Sequence, residues 1–264
     1  MSILGKYQII NEIGRGKFGA VYKGTRIKDG EPVAIKIETV RECKILNHEA
    51  TILNFLYRNG CKSTPVIFWY GLYQDYPTLI MPYYTCPLNV YCANNDNHIV
   101  LSKLLRILGN VHKCGVIHRD IKPENIMVKG GEFYLIDFGL ATFYLDENYT
   151  HVPFIDSREY ILGTPKYISY NVHLGIEPSR RDDLISLGYM MLSFCCELPW
   201  TNILCDETLY AKNHIMHPVN LERRRLKSWS NLVLLFDNNE SIRHILTFLD
   251  KCYQLKYDET IEHI

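Results

Sequence analysis

The octapeptide His118-Arg119-Asp120-Ile121-Lys122-Pro123-Glu124-Asn125 constrains this 264-residue chain more than any other feature. It sets a carboxylate, an ammonium and an amide within one short turn. Asp120 can accept or orient the proton of an attacking hydroxyl. Lys122, two residues on, can neutralise a phosphoryl group in transfer, and Asn125, five residues after Asp120, can offer an amide oxygen to a hard cation such as magnesium. A charged turn between strands satisfies the same composition, so the neighbouring motifs have to decide.

Upstream stands Gly14-Arg15-Gly16-Lys17-Phe18-Gly19-Ala20-Val21. Glycines let backbone approach a phosphate where a β-carbon would clash. A dinucleotide-binding turn has similar spacing, but it requires a helix immediately afterwards. Here Val21-Tyr22-Lys23-Gly24-Thr25 follows, which favours a strand-turn-strand covering phosphates, with Ile13 to Val21 as its residues. Val33-Ala34-Ile35-Lys36 comes next, with Ala34 expected to line the same site. A lysine inside an apolar strand needs an anionic partner, because an unpaired buried ammonium is costly. Nucleotide phosphates are one partner. Glu49 is the other, since it shares a helical face with Ile45, Ile52 and Leu53; Glu42 is a weaker candidate. Asp137-Phe138-Gly139 closes the apolar strand Phe133-Tyr134-Leu135-Ile136, twelve residues after Asn125. Its carboxylate would hold a phosphate-bridging cation, and Gly139 is expected to permit the turn.

In this order the four motifs resemble the eukaryotic protein kinase superfamily over essentially the whole chain. The resemblance implies one α+β domain over 1–264, with a β-rich N-lobe (1–81), a hinge (82–86) and a larger helical C-lobe (87–264). It also implies ATP in the cleft between lobes, Mg2+, and transfer of the γ-phosphate to protein. Lys122 at this spacing is like the serine/threonine branch. Gly163-Thr164-Pro165-Lys166-Tyr167-Ile168-Ser169-Tyr170-Asn171 stands where most kinases carry Ala-Pro-Glu, and His173-Leu174-Gly175-Ile176-Glu177-Pro178-Ser179-Arg180-Arg181-Asp182-Asp183-Leu184 follows. With His151-Val152-Pro153 and Leu198-Pro199-Trp200, these segments resemble the casein kinase I family. That resemblance implies activity without activation-loop phosphorylation and substrates whose Ser or Thr lies near acidic or phosphorylated residues. It further implies that Asp183 caps amides of the catalytic loop, that Thr164 lines that loop, and that Lys166 binds the substrate's anion. Arg158 could assist Lys166, although the adjacent Glu159 could cancel it. The run Arg223-Arg224-Arg225 reads as a solvated face.

The bulk numbers bound the partners. Lys plus Arg equals Asp plus Glu at 29 each, so nothing global points to nucleic acid or an acidic membrane. Nine cysteines without a Cys-x-x-Cys pair suit reduced thiols in a cytoplasmic or nuclear protein rather than a disulfide framework. No signal peptide and no membrane-spanning apolar run are read, and a monomer is expected. Strands are expected at 7–12, 20–25, 32–38, 66–73 and 78–83, and helices at 42–57, 99–114 and through much of the chain beyond 181. The competing reading is a catalytically inactive scaffold on the same fold. It would require loss of Lys36, Asp120, Asn125 or Asp137, and all four are present.

Overall fold

A computed structural model describes residues 2–16, 18–40, 43–92, 96–205, 208–236 and 239–260. Lys17 and Glu42 lie outside the described residues. Strands β1 (Ser2–Ile3), β2 (Tyr7–Arg15), β3 (Gly19–Arg26) and β4 (Pro32–Glu38) come first, followed by helix α1 (Ile45–Arg58), β5 (Trp69–Tyr73), β6 (Tyr76–Pro82) and β7 (Cys86–Pro87). Helices α2 (Leu88–Cys92) and α3 (Asn97–Lys113) precede β8 (Val116–Ile117), β9 (Ile126–Lys129), β10 (Glu132–Leu135) and β11 (Thr142–Phe143). The remaining helices are α4 (Tyr170–His173), α5 (Arg180–Cys195), α6 (Pro218–Leu226), α7 (Trp229–Phe236) and α8 (Arg243–Gln254).

The chain forms two compact units, Met1–Pro87 with Ile126–Ala141, and Leu88–Asn125 with Thr142–Ile264. In the first, antiparallel pairing gives a six-stranded sheet in the order β1-β2-β3-β4-β6-β5. Alternation along β4 sorts its side chains. Val33 and Ile35 enter a core with Ile3, Tyr7 and Ile80, while Ala34 and Lys36 take the other face. Helix α1 buries Leu46, Ala50, Ile52, Leu53 and Leu56, and Glu49 sits inside that apolar stripe. A second small sheet, β10-β9-β7, completes the unit and carries the Asp137 turn at its end.

In the second unit α5 is the buried centre. Ile185, Tyr189, Met190, Met191 and Leu192 have no exposed surface, and each such apolar side chain stabilises the fold by about 1.5–3 kcal/mol. The helix lies so close to α8 that a β-carbon on Gly188 would meet Leu249 Cδ2 at 2.4 Å. Its start is fixed by a capping box between Ser179 and Asp182. Helix α3 ends as expected on Gly115, whose φ of +79° favours glycine. Among the described residues no helix is long and apolar enough to cross a membrane.

Candidate active site

In the first unit the glycine loop is a β2–β3 hairpin, with Gly14 opposite Val21 and Arg15 opposite Ala20. A strand, not a helix, follows it, which excludes the dinucleotide-binding turn. The three glycines differ in purpose. Space beside Gly14 and Gly16 is open, so backbone there can be approached by a ligand. At Gly19 a β-carbon would lie 2.1 Å from the Ile37 carbonyl oxygen of β4, so that glycine serves the sheet. Ile13 and Phe18 are exposed and Ala20 is buried. Arg15 turns to Glu12, donating through Nε at 2.9 Å, and leaves its backbone to the loop.

Pairing sets Lys36 opposite Val21 on β3 and Leu79 on β6, in the middle of the sheet. Its Nζ donates to Glu49 Oε1 at 2.6 Å and to Asp137 Oδ1 at 3.1 Å. The sequence thus places its three charged residues in one ion cluster. Burial works against the Lys36 ammonium, yet Glu49 and Asp137 outweigh it and hold its pKa above that of an ordinary lysine. Burial raises the Glu49 carboxyl, and Lys36 offsets this only in part. Asp137 keeps about half of its side chain exposed (47%), against 2% for Glu49. Glu49 is therefore the internal partner and Asp137 the one that can face a ligand.

The turn after β10 requires a correction. Gly139 was expected to supply it, but the left-handed residue is Asp137, with φ +65°. Gly139 is small for another reason: a β-carbon there would meet Ile45 Cγ2 of α1 at 2.9 Å. Arg119 is a second non-glycine residue in this region of backbone space, at φ +67°. Each such residue stores strain of order 1–3 kcal/mol, and strain of this kind gathers at functional sites.

The second unit builds a site around Asp120, which is 8% exposed. Its Oδ1 accepts from the Thr164 amide at 2.9 Å and the Thr164 hydroxyl at 2.6 Å. Its Oδ2 accepts from Lys122 Nζ at 2.6 Å and from Asn125 Nδ2 at 3.2 Å. Lys122 also reaches Thr164 Oγ1 at 3.3 Å. Donors on both oxygens leave the carboxylate one orientation. Asn125 Nδ2 donates again to the Asp120 carbonyl at 2.9 Å, which leaves its Oδ1 as the atom for a cation.

The loop that carries Asp120 is held from α5. Asp183 accepts from the amides of His118 and Arg119, each at 2.8 Å, and lies 3.0 Å from His112 Nε2. This is the contact that the resemblance implies. Burial alone would raise the Asp183 carboxyl; His112 and His118 outweigh it and hold its pKa below that of an ordinary aspartate. The neighbouring Asp182 takes Ser169 Oγ at 2.5 Å and Asn171 Nδ2 at 3.0 Å. Its carboxyl is raised, because burial there exceeds what Arg181 and these donors offset. Adjacent aspartates in one helical turn thus clamp different segments, Asp183 the catalytic loop and Asp182 residues 169–171.

The expected anion site is less complete. Lys166 Nζ lies 5.2 Å above the Tyr167 ring, and its backbone carbonyl accepts from Trp200 Nε1 at 2.8 Å. Arg158 is indeed engaged by a carboxylate, but not by Glu159, which is exposed. Glu177 holds it through Nε, and holds Arg119 Nη1 at 3.0 Å as well. Nothing in the sequence pairs Glu177 with residues 19 and 58 positions away. The arginine run is also not wholly solvated: Arg223 donates to the Trp200 carbonyl at 3.3 Å and to Asn220 Oδ1 at 3.2 Å.

The first unit holds Lys36 between Glu49 and Asp137, the second holds Asp120 on both carboxylate oxygens, and a protein kinase domain family model matches residues 7–260. The chain belongs to the protein kinase domain family. Its α+β fold, β-rich first and helical after, is the one that family implies. The kinase assignment makes the enzyme a phosphotransferase that uses ATP on protein substrates. That family uses ATP usually with Mg2+, a cation that hard-oxygen donors suit. Among the described residues no group of three or more His, Cys, Asp or Glu side chains could hold a metal ion.

Proposed function

We propose that this kinase transfers the ATP γ-phosphate to serine and threonine hydroxyls, in the manner of the casein kinase I family and without activation-loop phosphorylation. One observation carries the reading: Asp120 is oriented on both carboxylate oxygens, by Thr164 on one side and by Lys122 and Asn125 on the other. A carboxylate so placed can accept the proton of an incoming hydroxyl, and Lys122 can meet the charge that develops on the transferring phosphoryl group. Asn125 and Asp137 would hold Mg2+, which neutralises the phosphate oxygens when bound. Lys36, kept cationic by Glu49, would hold the α/β-phosphates, and the backbone from Ile13 to Val21 would cover them, with Ala34 beside the nucleotide.

Activity as made rests on Glu177. In kinases switched on by phosphorylation, a phosphate gathers basic residues around the catalytic-loop arginine. Here an internal carboxylate already binds Arg119 and Arg158. Substrates with acidic or phosphorylated residues near the target follow from Lys166, a local charge on a chain of zero net charge. Arg158 is committed to Glu177, so Lys166 bears that preference with little help. The test is transfer of labelled phosphate from Mg-ATP to casein and to a peptide library. Transfer to Ser and Thr peptides with upstream acids, reduced by Lys166→Ala, supports the reading. Transfer confined to tyrosine, or indifferent to upstream charge, overturns it.

A further inference from the structure

Lys227, at the C-terminal cap of α6, is a fully buried lysine with no carboxylate partner among the described residues. Its Nζ donates to the Ile168 carbonyl at 2.7 Å and to the Pro165 carbonyl at 2.9 Å, and lies 3.3 Å from His173 Nε2. The rings of Tyr189 and Trp200 flank it, with centroids at 5.0 and 5.4 Å. A buried ammonium without a counter-ion is costly, and here carbonyl dipoles and ring faces offset that cost only in part. Burial and the charge of Arg223 press its pKa well below the ordinary lysine range. His173 is pushed down too, by burial and then by Lys227, which favours the uncharged imidazole beside it.

The segment these contacts hold is the one that orients Asp120. Lys227 takes the carbonyls of Pro165 and Ile168, and Trp200 takes the carbonyl of Lys166 between them. Thr164, the next residue upstream, receives the amides of Tyr167 and Ile168 on its carbonyl at 2.8 and 3.0 Å. Its own amide and hydroxyl go to Asp120. We infer that Lys227 is a positioning residue for phosphoryl transfer: it fixes the turn from Pro165 to Ile168 and thereby holds Thr164 against Asp120. The inference rests on the phosphotransfer reading above, since it assigns Lys227 a part in that reaction.

The test uses the full chain and the labelled-phosphate assay. Lys227→Met keeps an apolar stem between Tyr189 and Trp200 and removes the donors. It should lower kcat between about tenfold and a hundredfold, the range expected for a displaced catalytic group. The KM for ATP should stay within about twofold, because nucleotide binding is assigned to other residues. Adding Thr164→Ala should lower kcat little further, since both changes release the same side of Asp120. A folded Lys227→Met with unchanged kcat, or effects that simply multiply in the double variant, would overturn the inference. If Lys227→Met does not fold, Lys227→Leu, which likewise removes the donors, is judged by the same criteria. A wild-type chain no more active than Asp120→Asn would instead remove the phosphotransfer reading, and this inference with it.

Discussion

The two units solve the same electrostatic problem differently. In the first, a handful of charges do the work: Lys36 is held by Glu49 and Asp137, beside a loop whose Gly14 and Gly16 leave backbone open. In the second, Asp120 is held by hydrogen bonds from Thr164, Lys122 and Asn125, on a loop whose His118 and Arg119 amides Asp183 holds. The first arrangement is compact and suits a ligand that brings its own charge. The second is preorganised before any ligand arrives, as a group that must meet a hydroxyl at a fixed angle requires. Loss of a residue in the first should therefore weaken nucleotide binding. Loss in the second should weaken turnover.

The largest effects should divide along that line. Asp120→Asn should reduce kcat by about 10²- to 10⁴-fold and leave thermal protection by Mg-ATP intact. Lys36→Met should remove both activity and most of that protection. Equal loss of ATP protection in the two variants would erase the distinction.

Stability separates the units next. Asp183→Asn keeps one acceptor where a carboxylate had two, so a buried catalytic-loop amide loses its charged partner. The expected cost is about 1–3 kcal/mol, read by denaturant unfolding. The pH dependence follows in sign. The Asp183 pKa in the fold lies below the ordinary 3.8, so its contribution is present above pH 3.8 and is lost as pH falls through the lower folded value. The variant should lose stability less steeply than wild type on acidification over that range. An unchanged acid limb would show that Asp183 is not so placed.

Smaller effects test the glycine loop. Gly19→Ala should destabilise by about 1–3 kcal/mol, because the added carbon meets the Ile37 carbonyl. Gly16→Ala should change stability by less than about 1 kcal/mol while raising the KM for ATP. Smallest of all, Arg15→Ala should leave the thermal midpoint where it was, since its pair with Glu12 is exposed.

What could be read from residues alone follows the same division. The strand at 32–38, the Lys36–Glu49 pair and the catalytic loop were legible, because local spacing and period determine them. The contribution of Asp183 was accessible only through the resemblance. Glu177 and Lys227 were not legible at all. Each acts on residues far along the chain, and Lys227 follows three arginines that disguise it as one more surface charge. An Asp-Phe-Gly turn invites the glycine to take the positive φ, whereas Asp137 takes it and α1 requires the small residue at Gly139.

The central claim is that Asp120, held by Thr164, Lys122 and Asn125, serves transfer of a phosphoryl group to a protein hydroxyl. The most direct measurement is labelled-phosphate transfer from Mg-ATP to casein by the purified chain, beside Asp120→Asn. The account predicts phosphoserine and phosphothreonine in the product and a signal that Asp120→Asn abolishes while ATP still binds. Transfer that survives Asp120→Asn, or no transfer by a wild-type chain that binds ATP, would contradict it.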